Sequence, residues 1–214
     1  MKTYYKAVRP DGTDFHSGTV AWLPADGLIP PEGWLVTHPT AKRLGPEADA
    51  YLSAATVATD CTGIKWPCRL LRLEPAGRAV RRADDNYPHQ RCSLVWRVVE
   101  ELPAHEALGP QGTEVAAIIE RTPRLTPDEV QALHAALDAA RGAAWYAARD
   151  AAGYASLDAA REAAWYDARP DAWEVEWYAA QDAVRATLVR DLIRPEHYNT
   201  LMAPWLSVIG GGND

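Results

Sequence analysis

The chain of 214 residues has only three cysteines, Cys61, Cys68 and Cys92, and no CxxC spacing. A disulfide framework or a zinc ribbon would need more of them. Reduced, buried thiols are the expectation. No apolar run approaches the roughly 20 residues that span a bilayer. The opening Met1-Lys2-Thr3-Tyr4-Tyr5 lacks the apolar stretch of a signal peptide, so a cytoplasmic protein is expected. Also missing are a Walker A loop, GxGxxG, HExxH, GxSxG and an EF-hand loop. The histidines, His16, His38, His89, His105, His134 and His197, never pair at i,i+4, so no helix face presents a metal site and no cofactor is implied. Surplus positive charge is absent too. Residues 1–110 hold 13 basic and 13 acidic side chains, whereas residues 111–214 hold 9 basic and 16 acidic, so the whole net charge of -7 lies in the second half. That balance disfavours nucleic acid, which wants a cationic surface, and suits a basic protein partner.

What is present divides in two. The first half carries short apolar or aromatic runs between Pro and Gly punctuation, the pattern of short strands. Tyr4 to Val8 reads as a strand and Pro10-Asp11-Gly12 as a turn, with Thr13 to Val20 returning. Trp34 to Thr37, Cys68 to Leu73 and Ser93 to Val99 read as further strands, Arg78 to Gln90 as a polar loop, and Gly112 to Glu120 as a short helix. Thr126-Pro127-Asp128-Glu129 is a helix start, with Thr126 as cap, Pro127 at the first helical position and Glu129 closing a capping box. The expected organisation is α+β: a small mixed, β-rich domain over residues 1–121, then an Ala-rich helical hairpin or bundle with a C-terminal tail over residues 122–214.

The second half repeats every four residues. From Trp145 the leading positions read Trp145, Arg149, Gly153, Leu157, Arg161, Trp165, Arg169, Trp173 and Trp177, and the second positions are mostly Tyr or acid. Of the 52 residues from 132 to 183, 21 are alanine, the best helix former. Four residues at about 100° each overshoot a turn by about 40°, so such a stripe winds around a straight helix. Pro170 should break it, which predicts one helix from 126 to about 168 and another from 171 to about 193. Gly153 is a weaker candidate break, with Ser156 as a possible helix cap just beyond it. A short helix from Pro195 to Met202 and a flexible glycine tail at 210–212 complete the prediction. A β-solenoid with four-residue faces is the rival reading, opposed by the low strand preference of alanine.

Candidate chemistry is sparse. Glu174 and Glu176 stand at i,i+2, which on a helix do not face each other, so they do not make an acid–base pair. Flanked by Trp173 and Trp177 they read as a contact patch, and with Trp145 and Trp165 they form the expected partner-binding set, since tryptophan is enriched where interfaces concentrate their energy. The competing reading places these rings between helices. Cys68 beside Arg69 could have a lowered pKa, although a buried strand cysteine is the commoner case. Arg9, His16, His38, Tyr51 and Glu100 could line a cleft resembling that of an ADP-ribosyltransferase, the enzymatic alternative.

Three segments carry a resemblance. The opening Tyr5-Lys6-Ala7-Val8-Arg9-Pro10-Asp11-Gly12-Thr13-Asp14-Phe15, the element Trp66-Pro67-Cys68-Arg69, and the stretch from Val98 to Gly112 resemble a group of uncharacterised proteins of actinobacteria and their phages, in which an Ala/Trp/Arg-rich repeat comes next. The closing element Asp191-Leu192-Ile193, His197-Tyr198 and Trp205 to Gly210 is similar as well. The resemblance implies a phage or prophage setting and carries over no catalytic residue. The expectation is a non-enzymatic accessory protein that binds a host or phage protein, host defence included, or associates with itself. Its acidic helices would be the docking surface.

Overall fold

A computed structural model describes residues 2–45, 47–82, 88–158 and 176–210, with backbone alone at 48, 156–158 and 176–179. The protein is α+β, strands first and helices after. Two compact units part at Gly109/Pro110. The helix Gly112–Arg121 therefore belongs with the later helices, and the change of unit precedes the Arg121/Thr122 boundary drawn from sequence.

The first unit is a sheet of β1 (Tyr4–Val8), β2 (Trp34–Thr37), β3 (Leu52–Ala55), β4 (Arg69–Pro75), β5 (Val80–Arg81), β6 (Gln90–Ser93) and β7 (Val95–Leu102), in the order β2-β7-β4-β1-β3-β6-β5, every pair antiparallel. β6 and β7 lie far apart in that order, yet only Leu94 separates them in the chain. Ser93 pairs with Leu52 while Val95 pairs with Thr37, so the sheet must curl until these two regions meet. Its concave face packs Tyr4, Val8, Trp22, Leu71, Leu73, Trp96 and Val98; the opposite face is covered in part by Ala7, Cys61, Ile64, Cys68, Leu70 and Ala107. Charged side chains pair across β4 and β7, Arg69 with Glu101 and Arg72 with Glu100. At Gly33, φ is +81° and a Cβ would lie 2.8 Å from the carbonyl oxygen of Val98, so only glycine lets the chain enter β2 so close to β7.

Three strand expectations need correction. Thr13 to Val20 forms no returning strand; only Thr13 bridges to Ala21. The Asp14 carboxylate accepts from the backbone N–H groups of Ser17 and Val20 and from the Ser17 hydroxyl, and this local capture folds the segment into a loop. The run Ser93–Val99 is broken at Leu94, where the Ser93 hydroxyl accepts from the Val95 N–H and donates to the Val95 carbonyl. The polar Arg78–Gln90 stretch contains the two-residue strand β5.

The second unit is a bundle of α1 (Gly112–Arg121), α2 (Pro127–Ala140), α3 (Ala143–Asp158), α4 (Glu176–Leu188) and α5 (Pro195–Ile209) among the described residues. This helical structure excludes the solenoid for residues 143–158 and 176–188. α4 is the central helix. It touches each of the other four, and Ala180, Asp182, Ala183, Val184, Ala186, Thr187 and Leu188 are all buried. Its alanines let neighbouring helices come close. α1 is tied to the chain just after α4 by Gln111 donating to Asp191 and by the Arg190–Glu114 pair at 2.8 Å.

The single helix expected from 126 to about 168 is interrupted at Arg141-Gly142. Arg141 is extended, with φ −62° and ψ 116°, and the Gly142 carbonyl then accepts from Tyr146 to start α3. Glycine costs about 1 kcal/mol against alanine inside a helix, and here it ends one. Gly153 costs as much but stands inside α3 without breaking it, because Trp145, Ala148 and Ala152 bury a continuous stripe that anchors the helix. The last helix runs on past Met202 to Ile209. Pro170 and residues 211–214 lie outside the described residues, so the break and the tail expected there do too.

The cap at the start of α2 is as expected. Thr126 Oγ1 accepts from the Glu129 N–H at 3.3 Å, and Glu129 Oε2 accepts from the Thr126 N–H at 2.8 Å. Thr126→Ala removes half of this box and is expected to cost about 1 kcal/mol in a urea titration, and Thr126→Ser well under half of that. Equal losses in the two variants would show that the hydroxyl is not what matters.

Candidate interaction surface

The four-residue repeat becomes legible on α3. In the frame Trp145-Tyr146-Ala147-Ala148, the first and fourth positions turn inward and the second turns outward. Trp145, Ala148 and Ala152 are buried, Arg149 and Gly153 are half-buried, and Tyr146, Asp150 and Tyr154 are exposed. Three repeats drift by only about 80°, which one helix–helix contact arc accommodates. The winding expected of a period of four is thus limited by the length of the helix.

The inward side is a chain of contacts. Trp145 is 3 % exposed, the Arg149 guanidinium lies over its ring at 5.1 Å from the centroid, and Arg149 Nε reaches Asp182 Oδ1 of α4 at 3.4 Å. Asp182 is 2 % exposed, and neither carboxylate oxygen has a hydrogen-bond partner among the described residues. Burial pushes its carboxyl up to about 6, against the opposing pull of Arg149, Arg185 and Arg141. On α2, Asp138 pairs with Arg141, three residues on, at 2.9 Å. Asp182 reaches across to α3 in its ion pair with Arg149.

The outward side carries exposed aromatic rings on a regular helix. Tyr146 and Tyr154 are 56 % and 72 % exposed, with Asp150 midway and Ala143, Ala144 and Ala147 exposed alongside. Tyr146 also leans edge-on against Trp145, with ring centroids 5.0 Å apart and an interplanar angle of 80°, which limits where it can turn.

Of the six partner-binding residues expected from sequence, Trp145 packs inside the bundle. Trp165, Trp173 and Glu174 lie outside the described residues, and Glu176 and Trp177 open α4 with only their backbone described. Sequence reasoning passes over the second-position tyrosines as a surface. The frame itself holds the signal, since in the Trp145-Tyr146 pair the larger and less polar ring goes inward.

The residues of the enzymatic alternative are spread over the sheet. His38 comes after β2, its Nδ1 accepting from the backbone of Thr40 and Ala41; Glu100 is on β7, paired with Arg72; Tyr51 precedes β3 beneath the Arg82 guanidinium. The strands β7, β4 and β1 stand between β2 and β3. Arg9 and His16 lie in the turn and loop after β1. All three cysteines are free and buried, and burial pushes the thiols of Cys61 and Cys68 up to about 12 and about 11, so Arg69, held by Glu101 and the Gly27 carbonyl, does not activate Cys68. Among the described residues no His/Cys/Asp/Glu group could hold a metal ion, and no helix is long and apolar enough to cross a membrane.

Comparison with protein-family models, curated proteins and solved structures returns no match.

Proposed function

We propose that the chain is a non-enzymatic accessory protein of a phage or prophage that works by protein–protein contact in the host cytoplasm, with its acidic helical unit as the docking or oligomerisation surface. The partner is a host or virion protein, a defence component included. One observation carries this reading: α3 holds two tyrosines on its solvent side while its other side is anchored in the bundle. Large rings fixed on a rigid element and left in water lose little on binding and gain buried area. The acid excess of residues 111–214 gives the same unit a charge that attracts basic surfaces.

The test is capture from an actinobacterial lysate by the tagged full-length protein, with mass spectrometry and with light scattering for self-association. The expected result is a defined partner or a defined oligomer, lost when Tyr146 and Tyr154 are both replaced by serine. A strictly monomeric protein that retrieves nothing removes the main support for the proposal.

A further inference from the structure

We propose that the face Tyr146–Asp150–Tyr154 of α3 receives an arginine-bearing segment of the partner, one guanidinium pairing with Asp150 while stacking on a flanking tyrosine. This rests on the docking function proposed above and specifies its chemistry. The three residues stand at i, i+4 and i+8, so they form one stripe, each about 6 Å from the next at 1.5 Å rise per residue. All three are exposed.

Asp150 makes no ion pair among the described residues, and the nearest cations in sequence are engaged elsewhere. Arg149 is turned to the Trp145 ring and Asp182, and Arg141 to Asp138. Among the described residues, Asp150 is thus an unneutralised carboxylate flanked along the helix by two exposed tyrosines. A planar cation answers both features at once, because a guanidinium stacks on tyrosine faces and forks onto a carboxylate. Lysine, a compact and strongly hydrated charge, meets only the carboxylate well.

Ala143, Ala144 and Ala147 beside the stripe add little bulk, so a partner backbone can approach closely. A second copy of this chain fits worse: antiparallel pairing of two such faces brings Asp150 against its own counterpart, like charge against like. Nucleic acid is disfavoured by the 16 acidic against 9 basic side chains of residues 111–214.

The probe is an alanine-based helical peptide with arginine at every fourth position, titrated into the full-length protein and followed by NMR at the Tyr146 and Tyr154 ring protons. Twin peptides carry lysine or citrulline at the same positions. The expected result is saturable movement of both tyrosine signals by the arginine peptide, binding at least about tenfold weaker for lysine, and none for citrulline. Asp150→Asn, an exposed change that leaves the bundle intact, is expected to weaken the arginine peptide about tenfold as well. Equal binding of the arginine and lysine peptides overturns the proposal, as does binding indifferent to Asp150→Asn or a titration that moves neither ring. If a captured partner is lost with the tyrosines but retained by Asp150→Asn, the docking function stands and the arginine assignment falls. If nothing is captured and the arginine peptide still binds at this face, the arginine assignment stands and the cellular role falls.

Discussion

Trp96→Ala is expected to cost the sheet unit about 3–5 kcal/mol, enough to leave much of it unfolded in mild denaturant. Trp96 is fully buried on β7, its ring lies 5.0 Å from Tyr4 of β1, and its indole N–H donates to the Leu52 carbonyl of β3 at 3.0 Å. Those partners belong to strands separated from β7 in the sheet order, so this one side chain spans the inside of the curl. Truncation leaves a cavity in the concave core and a buried carbonyl without its donor, and the two losses add. Trp96→Phe keeps most of the aromatic area but loses the donor and part of the ring volume, so a smaller cost of about 1–3 kcal/mol is expected for it. Chemical denaturation followed by near-ultraviolet circular dichroism separates these cases. If Trp96→Ala falls within about 1 kcal/mol of the parent protein, the curl is held by backbone pairing and not by this core.

Much of that sheet is legible in the sequence, for a physical reason that also explains the misses. Tyr4–Val8, Trp34–Thr37 and Arg69–Leu73 are rich in aromatic, β-branched or leucine side chains that fit a pleated, half-buried surface. Leu52-Ser53-Ala54-Ala55 has no such signature. It is a strand because β1 and β6 supply partners on both sides, a tertiary cause invisible in a local window. The segment after Gly12 fails in the opposite sense, since its residues suit a strand but one carboxylate, Asp14, offers the backbone a closer set of bonds.

The helical half is legible in type and less so in its breaks. Alanine content and the capping box mark the start of α2 without ambiguity. Gly142 and Gly153 look alike in sequence, however, and only burial tells them apart. At both positions a Cβ would meet nothing within 4 Å, but Gly142 is exposed and comes after an extended Arg141, whereas Gly153 is half-buried in a helix anchored by Trp145 and Ala152. The candidate surface is hard to read for a related reason. Tryptophan stands out for its enrichment in interfaces, yet the same large apolar area makes it the better core residue, and Trp145 goes inward. Tyrosine, which keeps a polar tip in water, is left outside at the next position of the repeat.

Asp182→Ala is expected to stabilise the helical unit by about 1–3 kcal/mol at about pH 7.5, although it deletes an ion pair. The carboxylate sits on the central helix α4, 2 % exposed, with Arg149 Nε at 3.4 Å and no hydrogen bond among the described residues. Burial outweighs the pull of Arg149, Arg185 and Arg141, and the carboxyl is pushed from 3.8 up to about 6. A folded-state value above the unfolded one means that the native protein holds the proton more tightly. Stability is therefore greatest, as far as this group is concerned, below about pH 4, and falls as pH rises towards and through 6, by about 3 kcal/mol in all. Asp182→Asn keeps the shape and removes the ionisation, so the difference in unfolding free energy between it and the parent protein should shift by that amount between about pH 4 and about pH 7. Arg149, a third exposed, recovers water when its partner goes, so little is lost on that side. Alanine adds helix propensity at a position already lined by Ala180, Ala183 and Ala186. A parent protein whose stability rises over that pH range relative to Asp182→Asn would mean that the pair with Arg149 outweighs its desolvation. In that case Asp182→Ala should destabilise, and the period-four repeat would be held together by its charges as well as by its alanines.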